Sequence, residues 1–180
     1  GPNLVNGKHG NAIFTPNGRS VDDNIIDLGP HSTDCLGKVS NCPDGMTFSI
    51  WMKMGQQPHG WPTPMESNNF RINARAMSGK IETDFILDDG THEFQCRNVA
   101  ISYNEWHLFG YTYTAAEGFA LYIDGCKYPL TTSVKIAAPS FDVTLGCRFE
   151  GSYCSRVTYD DLRVWDEKKD EAFMWLLWRT

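Results

Sequence analysis

The sequence lacks the features that mark several large classes of protein. It contains no run of lysine and arginine, and its 16 basic and 22 acidic side chains give a net charge of −6. Proteins that bind duplex nucleic acid usually carry a basic face, so this class is excluded. The longest apolar run, Ala172 to Trp178, is much shorter than the roughly 20 residues of a membrane-spanning helix. We therefore expect neither nucleic-acid binding nor membrane insertion by this domain.

Common catalytic and metal-binding motifs are also missing. The sequence has no G-x-S-x-G motif and no C-x-x-C pair, and its histidines are scattered along the chain. A serine nucleophile and a zinc site are therefore not expected. No Asn-x-Ser/Thr acceptor is present either, so N-glycosylation gives no support for secretion.

The composition is that of a folded domain. Hydrophobic residues make up 41% of the chain and aromatic residues 13%, which is enough for a packed core. A length of 180 residues suits one domain, and we predict a single domain over residues 1–180. The first residues lack the pattern of a signal peptide, and Gly1 and Pro2 are interpreted as a remnant of tag removal. We interpret the chain as part of a larger multidomain protein.

Six cysteines give the clearest indication of the compartment. An even number without metal-ligand spacing is typical of disulfides in an oxidising environment; six reduced cysteines in a cytosolic domain are the alternative. Several pairings are formally open. Sequence proximity favours two local bridges and leaves one long-range bridge, which gives Cys35–Cys42, Cys147–Cys154 and Cys96–Cys126. We predict an extracellular location, either as a secreted protein or in the ectodomain of a membrane protein.

Alternating apolar and polar residues predict an all-β domain. The pattern is clearest from Met46 to Lys53, and similar patterns occur in residues 70–76, 80–87, 106–113, 119–124, 143–145 and 156–165. Trp51 and Trp106 are predicted to anchor the core between two sheets. Only residues 166–178 are typical of a helix, with Asp166 as its N-cap. We predict a two-sheet antiparallel β-sandwich (a jelly roll) of roughly ten or more strands, with a short C-terminal helix.

One long loop, residues 55–69, is the best candidate for a binding site. It carries three prolines and lies between two predicted strands, and loops of this length in compact domains are often functional. A glycan site needs an aromatic platform with polar groups nearby, and an aromatic anchor also suits a protein partner. The candidate ligand-binding residues are Gln57, His59, Trp61, Asn68 and Asn69. The alternative is that Trp61 packs beneath the loop as part of a small local core.

Four segments of the chain stand out together: GNAIF at 10–14, FSIWMK at 48–53, WH at 106–107 followed by LYIDG at 121–125, and DDLRVW at 160–165 with the helical tail. Their order resembles the laminin-G/pentraxin-like superfamily of concanavalin A-like jelly rolls. The cysteine-containing insertion before the core strand is similar to animal extracellular members. The ordered set covers most of the chain and implies the jelly-roll fold without implying one function.

The resemblance also implies a structural calcium ion. Many relatives hold calcium between the first strand and an aspartate of the closing strand. In this sequence the pattern points to Asp160, to Asn11 and to backbone oxygens near residues 8–11. A structural Ca²⁺ is the one cofactor that the resemblance implies; the alternative is that the aspartates of the chain are simply solvated charges.

Glycoside hydrolases that share the jelly roll use paired carboxylates on one strand. Glu82 and Asp84 stand in a similar pattern, but apolar residues occupy the place of the acid/base glutamate. The alternative to a catalytic role is that these two carboxylates form the solvent side of an amphipathic strand.

We therefore predict a non-enzymatic, lectin-like recognition or cell-adhesion module that binds an extracellular protein or glycan through rim loops. A carbohydrate-active enzyme that uses Glu82 and Asp84 is one alternative. A structural spacer domain in a matrix or receptor protein is another.

Overall fold

The computed structural model describes residues 2–16, 25–56, 61–67, 69–134, 142–147 and 153–180. These residues contain a short 3-10 helix at Val39–Asn41 and one α-helix, α1 (Glu171–Arg179). No helix in these ranges has the length and apolar character needed to cross a bilayer. The strands in chain order are β1 (Asn3–Asn6), β2 (Asn11–Thr15), β3 (Ile26–Pro30), β4 (Met46–Met54), β5 (Met65–Glu66), β6 (Phe70–Met77), β7 (Lys80–Asp88), β8 (His92–Ile101), β9 (Trp106–Thr114), β10 (Gly118–Ile123), β11 (Cys126–Tyr128), β12 (Thr131–Val134), β13 (Asp142–Leu145) and β14 (Val157–Trp165).

The strands form two sheets of seven strands each. Sheet A has the order β1-β2-β14-β4-β9-β10-β11, and sheet B has the order β12-β8-β7-β6-β5-β13-β3. Neighbouring strands are antiparallel; β4 and β9, for example, pair without interruption from Met46 opposite Tyr113 to Lys53 opposite Trp106. The predicted all-β, two-sheet antiparallel sandwich with a C-terminal helix is confirmed.

The main core lies between the sheets and is built from alternate residues of each strand. At its centre, the rings of Phe48 and Tyr111 from sheet A contact the ring of Phe70 from sheet B. The three ring centroids lie 5.2–5.6 Å apart, the range in which aromatic pairs add about 0.5–1.5 kcal/mol beyond area burial. Burial raises the pKa of the Tyr111 phenol, so this side chain stays neutral in the core.

A second, smaller core covers the outer face of sheet A. Trp51, Leu108 and Tyr122 point outward and pack against Met174 and Leu177 of α1, with Trp106 at the margin. The prediction that Trp51 and Trp106 anchor the core between the sheets is therefore wrong. In β4 and β9 the inward positions belong to the alternate residues, so Trp51 of β4 and Trp106 of β9 both lie on the helix side of the sheet instead.

Helix α1 begins later than predicted. Its N-cap is Asp170, whose carboxylate accepts the N–H of Phe173 at 2.8 Å, and not Asp166. The preceding residues are held in a non-helical connection because the Thr47 hydroxyl donates to the Glu167 carbonyl and accepts the N–H of Lys169, both at 2.8 Å. This contact with the start of β4 delays the helix by one turn.

Strand β14 contains a β-bulge between Asp160 and Arg163. Asp160 lies opposite Trp51 and Arg163 lies opposite Ser49, so both face the helix side of sheet A. The bulge adds one residue to the strand, and Asp161 within it has φ of 49°. Beyond the bulge, the inward and outward positions of β14 alternate in the opposite phase. As a result Leu162 contacts the main core, while Trp165 packs edge-on against Phe173 with ring centroids 5.2 Å apart.

The structure contains two of the three predicted disulfides, Cys35–Cys42 and Cys147–Cys154. The predicted Cys96–Cys126 bridge is not formed: Cys96 is a buried thiol and Cys126 is an exposed one. Cys96 lies on β8 of sheet B and packs into the main core, whereas Cys126 lies on the outermost strand of sheet A. The two residues belong to different sheets, so their pairing could not be established by elimination from the sequence.

Candidate functional site

The outer face of sheet B, which we call the open face, is polar where the outer face of sheet A is apolar. Outward-pointing residues of β6 and β7 form cross-strand rows, with Arg75 opposite Glu82 and Asn73 opposite Asp84. Inward-pointing residues of the same strands fill the main core. Because side chains alternate strictly along a strand, the core pattern itself places this polar set on one surface.

Trp61 lies at one edge of the open face. Its indole is 36% exposed, and the guanidinium carbon of Arg75 lies 4.5 Å from the ring centroid. Arg75 also forms an ion pair with Glu82 on the next strand. Trp61, Arg75 and Glu82 therefore form a continuous line across three neighbouring chain segments, which lie about 4.8 Å apart in a sheet.

The segment that carries Trp61 is held on both sides by backbone hydrogen bonds. The N–H of Ala74 donates to the Pro62 carbonyl at 2.7 Å, and the N–H of Thr63 donates to the Tyr153 carbonyl at 2.7 Å. From the opposite sheet, the buried Tyr159 hydroxyl donates to the Pro64 carbonyl. The segment thus continues the line of β5 beside β6, and the alternative that Trp61 lies in a local core beneath the loop does not fit its exposure.

Asn69 has a different environment from the one expected of a ligand-binding residue. It is 2% exposed, and its side-chain amide donates to the carbonyls of Cys35 and Leu36, each at 3.1 Å. This amide fastens the Cys35–Cys42 loop to the start of β6. Gln57, His59 and Asn68, the other predicted binding residues of this loop, lie outside the described residues.

Glu82 and Asp84, the pair considered for acid/base chemistry, both lie on the open face. Each is already engaged: Glu82 pairs with Arg75, and an oxygen of Asp84 accepts the N–H of Asn98 at 2.9 Å. Glycoside hydrolysis requires one carboxyl group that holds a proton beside the scissile bond. The Arg75 guanidinium instead occupies an oxygen of the Glu82 carboxylate.

The region predicted to hold calcium is organised around Asp160. Its carboxylate accepts the N–H of His9 at 2.7 Å, and Gly7 lies so close that an added Cβ would be 2.5 Å from the same oxygen. Asn11 lies nearby at the mouth of an apolar crevice of about 270 Å³. Calcium takes 6–8 oxygen ligands, but here an amide N–H faces the carboxylate. Among the described residues no group of three or more acidic, histidine or cysteine side chains could hold a metal ion.

The sequence analysis predicted Trp61 as a binding residue but did not predict that the arginines of β6 lie beside it. The alternation of Arg71, Asn73 and Arg75 along β6 indicated that these polar side chains share a face. Their proximity to Trp61 could not be predicted, because it depends on the pairing of residues 61–66 with β6.

Comparison with known families and structures supplies independent information. Residues 31–172 match the family described as the concanavalin A-like lectin/glucanases superfamily. No curated protein sequence matches the chain. One similar solved structure is the receptor-binding domain of botulinum neurotoxin C/D mosaic serotype, with a TM-score of 0.66 and 13% identity. The match covers 98% of this chain and 44% of that one, so this chain spans less than half of its neighbour.

Two further similar structures were solved with a bound partner. The binding domain of botulinum neurotoxin DC, in complex with rat synaptotagmin II, has a TM-score of 0.62 at 14% identity and covers 99% of this chain and 45% of that one. Domain 4 of AbnA, a GH43 extracellular arabinanase from Geobacillus stearothermophilus, in complex with arabinotriose, also has a TM-score of 0.62 at 14% identity and covers 98% and 81%. At this identity the likeness shows the fold alone. These neighbours are bacterial, so the fold does not support the expected restriction to animal proteins.

Proposed function

From the premise that the chain belongs to the concanavalin A-like lectin/glucanase superfamily, we propose that it is an extracellular, non-enzymatic recognition module that binds an oligosaccharide on its open face. The observation that carries this proposal is Trp61, a partly exposed indole held at the edge of a polar sheet by Arg75. An aromatic ring beside convergent polar groups is the usual composition of a small-ligand site.

The charges of the open face favour a neutral ligand. Arg71 pairs with Glu66 at 3.7 Å, and Arg75 pairs with Glu82. Since both of these arginines have an acidic neighbour, this part of the face offers donors and acceptors without a strong field of one sign. Hydroxyl groups can both donate and accept, so a sugar matches this surface better than a highly charged polymer does.

The comparisons support the same class of ligand. Domain 4 of AbnA carries this fold at 81% coverage of its own chain and was solved with arabinotriose. The toxin domain solved with synaptotagmin II shows that a protein partner is also compatible with the fold in that molecule. We favour the glycan because the open face is polar, whereas a protein hot spot centres on a larger apolar patch.

The proposal is tested by calorimetric titration of the whole chain with arabinotriose and with a panel of neutral oligosaccharides. We expect binding by the wild type and a loss of at least about tenfold in affinity for Trp61→Ala, the effect of removing a hot-spot ring. Trp175→Ala is the matched control, because Trp175 is similarly exposed but lies on α1, across the molecule from the open face.

Three results would count against this function. Equal affinity in Trp61→Ala and wild type would place the site elsewhere, and binding of no saccharide by the wild type would reject the glycan. Release of reducing sugar that disappears in Glu82→Gln would instead support the hydrolase alternative. Melting temperatures of all variants establish that they are folded.

A further inference from the structure

A polar cavity of about 240 Å³ opens at one end of the sandwich, where the ends of both sheets meet. Sheet B contributes the turn between β6 and β7 and the end of β8, and sheet A contributes the start of β9 and the hairpin of β10 and β11. The wall of this cavity, which we call the end cavity, includes Lys80, Ser102, His107, Asp124 and Tyr128.

His107 forms part of the wall and is held in one orientation. Its Nδ1 lies 2.7 Å from one oxygen of Asp124. The other Asp124 oxygen accepts the N–H of Leu108 at 2.9 Å, and the Asp124 N–H donates to the Leu108 carbonyl at 2.8 Å. Since an ionised carboxylate only accepts hydrogen bonds, the proton of the neutral imidazole lies on Nδ1, and Nε2 is an acceptor.

The Nε2 atom of His107 has no hydrogen-bond partner within the described residues, although it is buried. Buried polar atoms in folded proteins almost always have a protein or water partner, so an exception requires an explanation. The ring stands beside a cavity that is large enough for a small molecule. An unpaired acceptor at this place matches a donor that comes from outside the chain, such as a hydroxyl group.

Lys80 gives the end cavity a positive charge. It is an exposed residue at the start of β7, and no acidic side chain among the described residues pairs with it. Its four-carbon stem is flexible, so the ammonium group can reach a ligand in the cavity. Asp124, the acidic residue of the wall, already pairs with His107. A ligand with a negative group is therefore favoured.

Two hydroxyl groups complete the wall. Burial raises the pKa of the Tyr128 phenol, and the acidic groups of Cys126 and Asp124 add to this effect, so Tyr128 keeps its proton at neutral pH. Ser102, which follows the end of β8, carries the second hydroxyl. Hydroxyl groups can donate and accept, and both are suited to the hydroxyl groups of a ligand.

We propose that the end cavity binds a sugar acid, a ligand with one carboxylate beside several hydroxyl groups. One ligand hydroxyl donates to Nε2 of His107, and the carboxylate accepts from the ammonium group of Lys80. The volume lies below the range of about 300–1,000 Å³ of sites for drug-sized ligands, so it suits a single sugar ring. Because Nε2 is covered in the free protein, side chains of the wall shift when the ligand enters, as is common on binding.

The test is an NMR titration of the isotope-labelled whole chain with D-glucuronate, followed through the Cε1–H signal of His107. We expect this signal to shift and to saturate. Glucose lacks the carboxylate and acetate lacks the hydroxyl groups, so each should bind at least about tenfold more weakly, the effect of one lost charge-assisted hydrogen bond or more. Equal affinity for either compound, or no shift with glucuronate, would overturn the proposal.

Substitution of the lysine tests the charge. Lys80→Met keeps most of the stem and should weaken glucuronate binding at least about tenfold. Lys127→Met is the matched control, because Lys127 is also exposed and lies on the neighbouring hairpin, but does not line the cavity. It should bind like the wild type. Equal losses in the two variants would show a general attraction between charges and would overturn the proposal. Both substitutions are at exposed positions, and melting temperatures establish that the variants are folded.

Trp61→Ala separates the end cavity from the open face. This variant should bind glucuronate with the affinity of the wild type, whatever its effect on the neutral saccharides tested above. If Trp61→Ala abolishes the glucuronate shift, the acidic sugar belongs to the open face and the end cavity is not its site. The residues named for the two sites do not overlap, so failure of one site leaves the other unaffected.

Discussion

The two outer faces of the sandwich have the same backbone geometry but opposite surfaces. On sheet A the outward residues Trp51, Leu108 and Tyr122 are apolar, and helix α1 covers them. On sheet B most outward positions of β6 and β7 are polar, and no described helix covers them. The difference teaches that the outward-pointing residues, and not the strands themselves, decide which face becomes core and which remains available to a ligand.

The helix exists because of the face that it covers. A helix of nine residues is below the length at which an isolated peptide helix is stable in water. Its stability therefore comes from burying Met174 and Leu177 against sheet A. Gly110 permits this approach, since an added Cβ there would lie 2.5 Å from Met174 Cε and 2.6 Å from the Phe48 carbonyl oxygen.

The largest effect is expected on the covered face. Met174→Ala removes a fully buried side chain and leaves a cavity, which should lower the free energy of unfolding by about 2–5 kcal/mol. The control is Met77→Ala at the end of β6, where the side chain is exposed and the change should stay within about 0.5 kcal/mol. Urea unfolding measures both. Equal losses would mean that α1 does not stabilise the fold.

An intermediate effect is expected at the rim of the open face. Asn69→Ala leaves the carbonyls of Cys35 and Leu36 without their donor, which should cost about 1–3 kcal/mol. Asn3→Ala, at an exposed position of β1, should be close to neutral. Saccharide affinity should not change in Asn69→Ala. A variant of normal stability that loses affinity would restore Asn69 as a ligand-binding residue.

The smallest effect on stability is expected within the open face itself. Glu82→Gln removes an ion pair whose arginine is partly exposed to solvent, so its loss should cost less than about 1 kcal/mol. The difference from wild type should shrink further in high salt. A loss above about 2 kcal/mol in thermal or urea unfolding would show that the pair is structural, and the contrast between the two faces would fail.

Much of the fold could be predicted from local patterns. Strands β4 and β7 alternate without interruption and lie close to their predicted ranges. Strand β8 was missed because a bulge at Asn98, with φ of 59°, puts both Cys96 and Val99 on the inner side and breaks the alternation. The start of α1 was placed at Asp166 and not at Asp170 because the choice depends on the hydrogen bonds of Thr47, which is distant in sequence.

The candidate site was predicted less well, for a related reason. The exposure of Trp61 agrees with its predicted role, and its residue type alone suggested that role. The environment of Asn69 depends on a disulfide loop more than thirty residues away in sequence, and the Arg75 contact depends on strand pairing. Both are non-local, so neither amphipathic spacing nor loop length could indicate them.

The bulge in β14 allows both halves of the last strand to keep their pairing with β4. The extra residue is absorbed between Asp160, opposite Trp51, and Arg163, opposite Ser49. Deleting Asp161 would therefore remove the bulge and leave Leu162 on the inner side and Trp165 beside Phe173. A single-residue insertion or deletion in the regular part of the strand would instead exchange the inner and outer surfaces of the residues beyond it.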